Sequence, residues 1–407
     1  MFRSKSSPSA ESTAGTVKDF GYLPENVFYF DSACQTLRPQ QVIDAQSEYY
    51  HRYGACGERV KYAWGVKVDD EVADARKKIL KLTGKSERDY AVAFTLNTTY
   101  GINLVLQQLP GKDFERIVTS EIEHNSVFLP SITWSRAQGK ERVVLPRAKD
   151  GSLLYDVKKL DRAVALLSSM SNIDGRKLPN ARSLAQDVHR EGGLLLIDAA
   201  QHFAHGIEEM KDVAFDALFG SGHKMYGPSI GIIVIRKDLI RRLDLRFLGG
   251  GTVNDVRLND FDLIDEDHEL HALLETGLQN WAGIIGLKTA VDWAASYRPQ
   301  GGNPQEYEHT LAVQLFEGLR KIKGLTVFNS EASPTISVYS DAIDAHKLSL
   351  YLGEQNIMCR SGYFCCHYYL KNLLKVPPLL RIALGLHNTP AQVEHFLATL
   401  DKILRNT

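Results

Sequence analysis

Phe219-Gly220-Ser221-Gly222-His223-Lys224-Met225-Tyr226-Gly227-Pro228 sets one lysine among small residues, after a serine and a histidine and just ahead of a strand expected from Gly231 to Ile235. A lysine ammonium is a poor nucleophile. In a partly desolvated pocket its pKa falls, and the free amine can form an imine with an aldehyde. That is the chemistry of a pyridoxal phosphate (PLP) site. The small neighbours let backbone approach a flat cofactor, while the Ser221 hydroxyl and the His223 imidazole can hydrogen-bond its phosphate. Alone, the stretch also reads as a surface lysine in a glycine-rich turn.

Upstream, Gly192-Gly193-Leu194-Leu195-Leu196-Ile197-Asp198-Ala199-Ala200-Gln201-His202 reads as a buried strand ending in an acid. A continuous apolar run bounded by glycines suits a parallel strand covered on both faces, and ligands collect at the carboxyl ends of such strands. A carboxylate there would keep a pyridine nitrogen protonated and the ring an electron sink; Gln201 could donate to the ring hydroxyl oxygen. The competing reading of Asp198 is a helix N-cap. In Phe94-Thr95-Leu96-Asn97-Thr98-Thr99-Tyr100-Gly101-Ile102-Asn103-Leu104-Val105-Leu106, polar residues precede an apolar helical run. Their hydroxyls and the free N–H groups of the first turn can converge on an anion, or simply cap the helix.

The order Thr98-Thr99, Glu123-His124-Asn125, Ser171-Asn172, Asp198-x-x-Gln201 and Ser221-x-His223-Lys224 resembles the class V aminotransferase group of fold type I PLP enzymes. Within that group it resembles the cysteine desulfurases. The match runs from Tyr29-Phe30-Asp31-Ser32-Ala33 to Leu386-His387-Asn388-Thr389. The resemblance implies that His124 stacks on the pyridine ring and shuttles protons, and that Asn172 and Gln201 contact the ring hydroxyl. It also implies that Thr98, Thr99, Ser221 and His223 hold the phosphate and that Lys224 carries the imine.

Cys359-Arg360-Ser361-Gly362-Tyr363-Phe364-Cys365-Cys366-His367 is the second carrier of function. A thiolate is the competent nucleophile, and a glycine-containing loop with Arg and His nearby can expose a cysteine and lower its pKa. Buried inert cysteines and a redox pair are the alternatives; the paired ligand spacings of a zinc site are absent. The loop resembles the Arg-x-Gly-x-x-Cys loop of the shorter-loop, SUF-type desulfurases and selenocysteine lyases, with Cys365 at their catalytic position. Departures accompany the likeness. Tyr363 and Phe364 stand where many of those proteins have histidines, and Cys366 adds a vicinal thiol. Leu278 occupies the place of a threonine that reaches the neighbouring subunit's phosphate, leaving Thr252 as a candidate substitute. Arg381, in the strand-like run Leu379-Leu380-Arg381-Ile382-Ala383-Leu384, offers a fork that matches an amino-acid carboxylate. Its competing reading is a structural ion pair. Arg59 is a looser candidate for assistance.

A chain of 407 residues, 44% hydrophobic, exceeds the size at which one core keeps growing. The expected α/β fold is that of a fold type I PLP-dependent transferase. Residues 1–30 would be a mobile tail and lead-in. Residues 31–297 would form a large domain with a mostly parallel sheet sandwiched by helices, and residues 298–407 a smaller α+β domain bringing Cys365 and Arg381 over the cofactor. Net charge is −1, which gives no electrostatic footprint for nucleic acid. No apolar stretch is long enough to span a bilayer. Five cysteines outside any disulfide framework fit a reducing compartment, the cytoplasm, although Ser4 to Gly15 leaves room for a short organellar import segment. The expected activity is conversion of L-cysteine to L-alanine, with a persulfide on Cys365 for a sulfur-acceptor protein, in a homodimer. A class V aminotransferase, a lyase of C–S or C–Se bonds (cystine or selenocysteine lyase-like) and a sulfur-relay scaffold without activity are the alternatives.

Overall fold

The structure, a computed structural model, describes residues 16–24, 26–58 and 60–406; Ser4 to Gly15 and Arg59 lie outside the described residues. Its centre is a seven-stranded sheet. The strands are β1 (Tyr90–Thr95), β2 (Arg116–Ser120), β3 (Glu141–Leu145), β4 (Ala163–Ser168), β5 (Leu194–Asp198), β6 (Ala217–Ser221) and β7 (Gly231–Arg236). Their order is β1-β7-β6-β5-β4-β2-β3, with every neighbouring pair parallel except the two that β7 makes.

Successive side chains of a strand point to opposite faces, and here both faces are apolar. Leu195 and Ile197 join one core and Leu194 and Leu196 the other. The first core is closed by α1 (Ala63–Thr83), α4 (Ala181–Arg190), α5 (Trp281–Ser296) and their neighbours, the second by α2 (Thr98–Gln107) and α3 (Asn125–Gln138). The continuous apolar run of β5 is therefore the signature of a strand covered on both sides. Gly231 opens β7 against the turn into α2, where a Cβ would stand 2.6 Å from the Asn97 carbonyl oxygen.

A four-stranded antiparallel sheet follows: β8 (Thr326–Val327), β9 (Thr335–Tyr339), β10 (Arg360–Gly362) and β11 (Leu379–Ala383), in the order β8-β9-β11-β10. Helices α6 (Pro304–Lys321), α7 (Ala345–Glu354) and α8 (Pro390–Arg405) complete its core with Leu311, Leu315, Leu348, Phe396 and Leu400. In β9 the apolar residues Ile336 and Val338 enter this core. Thr335 and Ser337 are buried too, because their face meets the large unit, where Ser337 Oγ donates to the Ile173 carbonyl at 2.6 Å. Polarity alternates along β9; exposure does not.

The lead-in segment departs from the expected boundary at Asp31. Phe28–Tyr29 pairs in parallel with Ile357–Met358, Asp31 bridges to Ala383, and Phe30 is fully buried in the C-terminal core. Phe28 and Phe30 pack with Ile357 in that core, and this burial outweighs the sequence distance between them, so residues 28–31 are structurally part of the C-terminal unit.

Candidate active site

The carboxyl ends of β4, β5 and β6, the start of α2 and the edge of the C-terminal sheet enclose a cavity of about 240 Å³. Lys224, Asp198, His124, Asn172 and Gln201 line it from the large unit, and Cys365 and Arg381 from the small one. Burial pushes the Lys224 amine below its usual pKa, with the Asp198 carboxylate pulling the other way. Desolvation thus favours the free amine that an imine requires.

Asp198 sits at the last position of β5, in front of the turn that leaves the sheet. Its Oδ1 accepts the Ala200 N–H at 2.9 Å and its Oδ2 accepts the Ser126 hydroxyl at 3.0 Å. Burial raises its pKa against those bonds and against Lys224. A buried carboxylate facing a cavity is stabilised by a cation, and a protonated ring nitrogen is one. His124 is the N-cap of α3, its Nδ1 accepting the Ser126 N–H at 3.0 Å. That bond places the ring proton on Nε2. Burial first, then Lys224 and Arg381, hold the imidazole's pKa down at about 3, so it is a neutral, flat ring at physiological pH.

Asn172 Nδ2 donates to the Phe364 carbonyl at 2.8 Å, and Gln201 Nε2 donates to the Ala33 carbonyl at 2.7 Å. Each amide nitrogen carries a second hydrogen, which leaves one donor per residue for a ring hydroxyl. At the other end, the Ser221 hydroxyl lies 3.0 Å from His223 Nδ1, and burial holds that imidazole's pKa at about 4. Thr99 is exposed at the mouth. Thr98 differs from expectation: it is buried and its hydroxyl donates to the Gly220 carbonyl at 2.6 Å, which ties α2 to β6. Its hydroxyl proton is therefore spent, and a phosphate would meet it through the backbone at the helix N-terminus.

Arg381 crosses from β11 into the cavity wall with 3% of its surface exposed. Its Nη2 donates to Asp31 Oδ1 at 3.0 Å and its Nη1 to the Asn172 carbonyl at 3.0 Å, while its Nε has no partner. The guanidinium also lies 4.7 Å from the centre of the Phe364 ring. Both sequence readings of Arg381 thus meet in one residue, which is ion-paired to Asp31 and also lines the cavity. Asp31 Oδ2 takes Arg360 Nε at 3.1 Å as well.

Cys365 is exposed and Cys366 is buried. Phe364 and Cys365 both adopt left-handed backbone, φ +47° and +58°, a conformation that costs a non-glycine residue roughly 1–3 kcal/mol and is retained where surroundings enforce it. Here the Cys365 carbonyl accepts the Asn125 N–H at 2.7 Å, pinning the loop to the start of α3. Tyr363, placed where a histidine was the family pattern, tilts against the His367 ring at 5.7 Å between centroids.

Three residues of the site escaped sequence reasoning. Ser126 joins His124 to Asp198, Asp31 braces Arg381, and Cys34 lines the cavity as a third nearby thiol. Asp31 lies inside the Tyr29–Ala33 motif and Cys34 directly after it, but nothing in local spacing showed where they point. Leu278 is 79% exposed, in keeping with its removal from any cradle within this chain. Thr252 is fully buried and its hydroxyl donates back to the Gly249 carbonyl at 2.8 Å, so it is not offered to a neighbouring phosphate. Among the described residues no group of His, Cys, Asp and Glu has the arrangement of a metal site. The donor set as a whole fits PLP: an amine of lowered pKa, a buried carboxylate, a neutral flat ring, two spare amide hydrogens and a helix N-terminus.

The family described as aminotransferase class-V matches residues 28–396. A probable cysteine desulfurase of Haemophilus influenzae is 31% identical over 93% of this chain and 86% of its own length. Two solved structures share the fold with a TM-score of 0.83 and 26% identity. One is the apo cysteine desulfurase of Thermococcus onnurineus, matched over 94% of this chain and 95% of that one. The other is the S-sulfonic acid form of the cysteine desulfurase CsdA of Escherichia coli, matched over 95% of this chain and 97% of that one.

Proposed function

This chain belongs to the class-V aminotransferase family and is a PLP-dependent cysteine desulfurase, and from that premise we propose how its own residues divide the work. Lys224 would hold PLP, with Asp198 available to its ring nitrogen, His124 to its ring, and Asn172 and Gln201 to its hydroxyl. Ser221, His223, Thr99 and the N-terminus of α2 would hold the phosphate. When bound, PLP supplies an electron sink that makes the substrate's α-hydrogen acidic and its sulfur open to attack. Arg381 takes the carboxylate of L-cysteine through the edge that Asp31 leaves free. Cys365 takes the sulfur: L-cysteine and a thiol become L-alanine and a persulfide, with every hydrogen accounted for.

The observation that carries this reading is the meeting of Lys224, Arg381 and the exposed Cys365 on one cavity. A displaced thiol would have left the side chain of a held amino acid without a nucleophile, and a distant arginine would have left its carboxylate without a partner. Incubation of the enzyme with L-cysteine tests it, with alanine, pyruvate and protein-bound persulfide measured together. Alanine in step with persulfide is the expected result; pyruvate and ammonia would make the protein a lyase instead.

The persulfide is passed to an acceptor protein, for which Cys365 is accessible at the surface. We also infer a homodimer, supported by the hairpin Val253–Arg257 and Asp260–Leu263, which exposes Val256, Phe261 and, at its turn, Leu258 (97% exposed), and by the exposed Leu278. Sedimentation showing an active, PLP-loaded monomer would refute it. All five cysteines are unpaired, which supports a reducing, cytoplasmic setting. No helix among the described residues is long and apolar enough to cross a membrane.

A further inference from the structure

Resting on the reading of Cys365 as sulfur acceptor, we propose that its neighbour Cys366 is a positioning residue, whose thiol orients Asn172 and thereby fixes the turn that presents Cys365. The hydrogen bonds leave one consistent assignment. The Phe364 carbonyl can only accept, so the Asn172 atom 2.8 Å from it is the nitrogen. Oδ1 then faces Cys366 Sγ at 3.1 Å, and because a carbonyl oxygen only accepts, the thiol donates. The Ile122 carbonyl, 3.9 Å from Sγ, is the more distant acceptor.

Cys366 is 1% exposed, and burial pushes its pKa well above the usual thiol value, so the donor proton is present at physiological pH. The same burial makes it a poor nucleophile. Asn172 in turn ties three parts of the site together: its side chain holds Phe364, its carbonyl holds Arg381, and its remaining amide hydrogen faces the cavity. An amide turned end for end would set Oδ1 against the Phe364 carbonyl, oxygen against oxygen, and release the pair of left-handed residues 364 and 365. An alanine in place of Cys366 supplies no donor against that rotation. The second thiol of this loop therefore acts through Asn172 and does not touch the sulfur.

Single-turnover persulfide formation on Cys365 in the PLP-loaded enzyme is the test, with Cys366→Ala, Cys366→Val and Cys366→Ser compared. Valine keeps the side-chain bulk without a donor, so a folding failure of the alanine variant is read against it; serine restores a donor. The expected result is a rate about fivefold lower for alanine and valine, the loss of one neutral hydrogen bond. Serine should recover most of it, with KM for L-cysteine unchanged in all three. Wild-type rates in the alanine and valine variants, or a serine variant as slow as alanine, overturn the inference. A wild-type enzyme that yields alanine without persulfide on Cys365 overturns the functional reading itself, and the two failures are told apart by that control.

Discussion

Asp31 holds two guanidinium groups at once, Arg381 on Oδ1 and Arg360 on Oδ2, and the first of these is buried. Removing the carboxylate leaves Arg381 uncompensated. Asp31→Ala should therefore destabilise the fold by about 3–5 kcal/mol, measured by chemical denaturation, and raise KM for L-cysteine. Arg381→Lys keeps the charge but loses the fork, and should raise KM at least tenfold with the cofactor absorbance intact. Cys365→Ala should abolish persulfide and alanine formation while PLP stays bound; retained alanine production would move the nucleophile elsewhere. Asp198 was legible because it ends an apolar strand, and Lys224 because it sits in a short turn of small residues between two strands, where local sequence and local structure coincide. The Asp31–Arg381 pair spans 350 positions, and no periodicity encodes a contact between the two ends of a chain. Thr98 misled for a related reason: a hydroxyl at a helix start can turn outward to a ligand or inward to a carbonyl, and only the placement of β6 decides it.

Helix α2 begins with Asn97 as its cap, Oδ1 accepting the Tyr100 N–H at 2.9 Å, and this short helix points its first turn at the cavity. Asn97→Ala should cost about 1 kcal/mol of stability. Because the frayed turn is the one that would face the phosphate, PLP should also dissociate faster, as followed by loss of its absorbance on dilution; an unchanged off-rate would separate the cap from the cradle. At this scale the sequence was informative where an element has one environment. β4 and β5 are apolar up to their last residues, Ser168 and Asp198, and buried on both faces, as their composition implies. β9 and β11 were harder, since each turns one face to its own core and the other to the large unit, and the polar face reads as solvent-exposed until the second unit is in place. Arg381 is such a residue, buried between Leu380 and Ile382, whose side chains enter the opposite core.

Among the described residues, burial holds five histidines, His124, His202, His223, His271 and His387, below the usual imidazole pKa, to about 3 for His124 and about 4 for His223, His271 and His387. In the unfolded chain each takes up a proton near 6.5. The unfolded state thus binds more protons below that pH, so the stability they confer is complete above about 6.5 and is lost as pH falls toward the folded values. Tm should drop between pH 7.5 and pH 5. His387, fully enclosed with its Nε2 donating to the Tyr29 carbonyl, accounts for up to about 3 kcal/mol of this, and His387→Gln should flatten the profile. The strand Phe28–Tyr29 has a further consequence, for the order of events during synthesis. Its partner is Ile357–Met358, and the brace it delivers reaches Arg381, so a strand made early in synthesis must wait for one made far later. A nascent chain stalled at Tyr297 would carry Lys224, Asp198 and the helix terminus without Arg381, Cys365 or a place to dock its own beginning. Such a chain would be able to capture cofactor before it could recognise substrate, and release of the C-terminus from the exit tunnel would be the moment at which a PLP-binding half becomes a desulfurase.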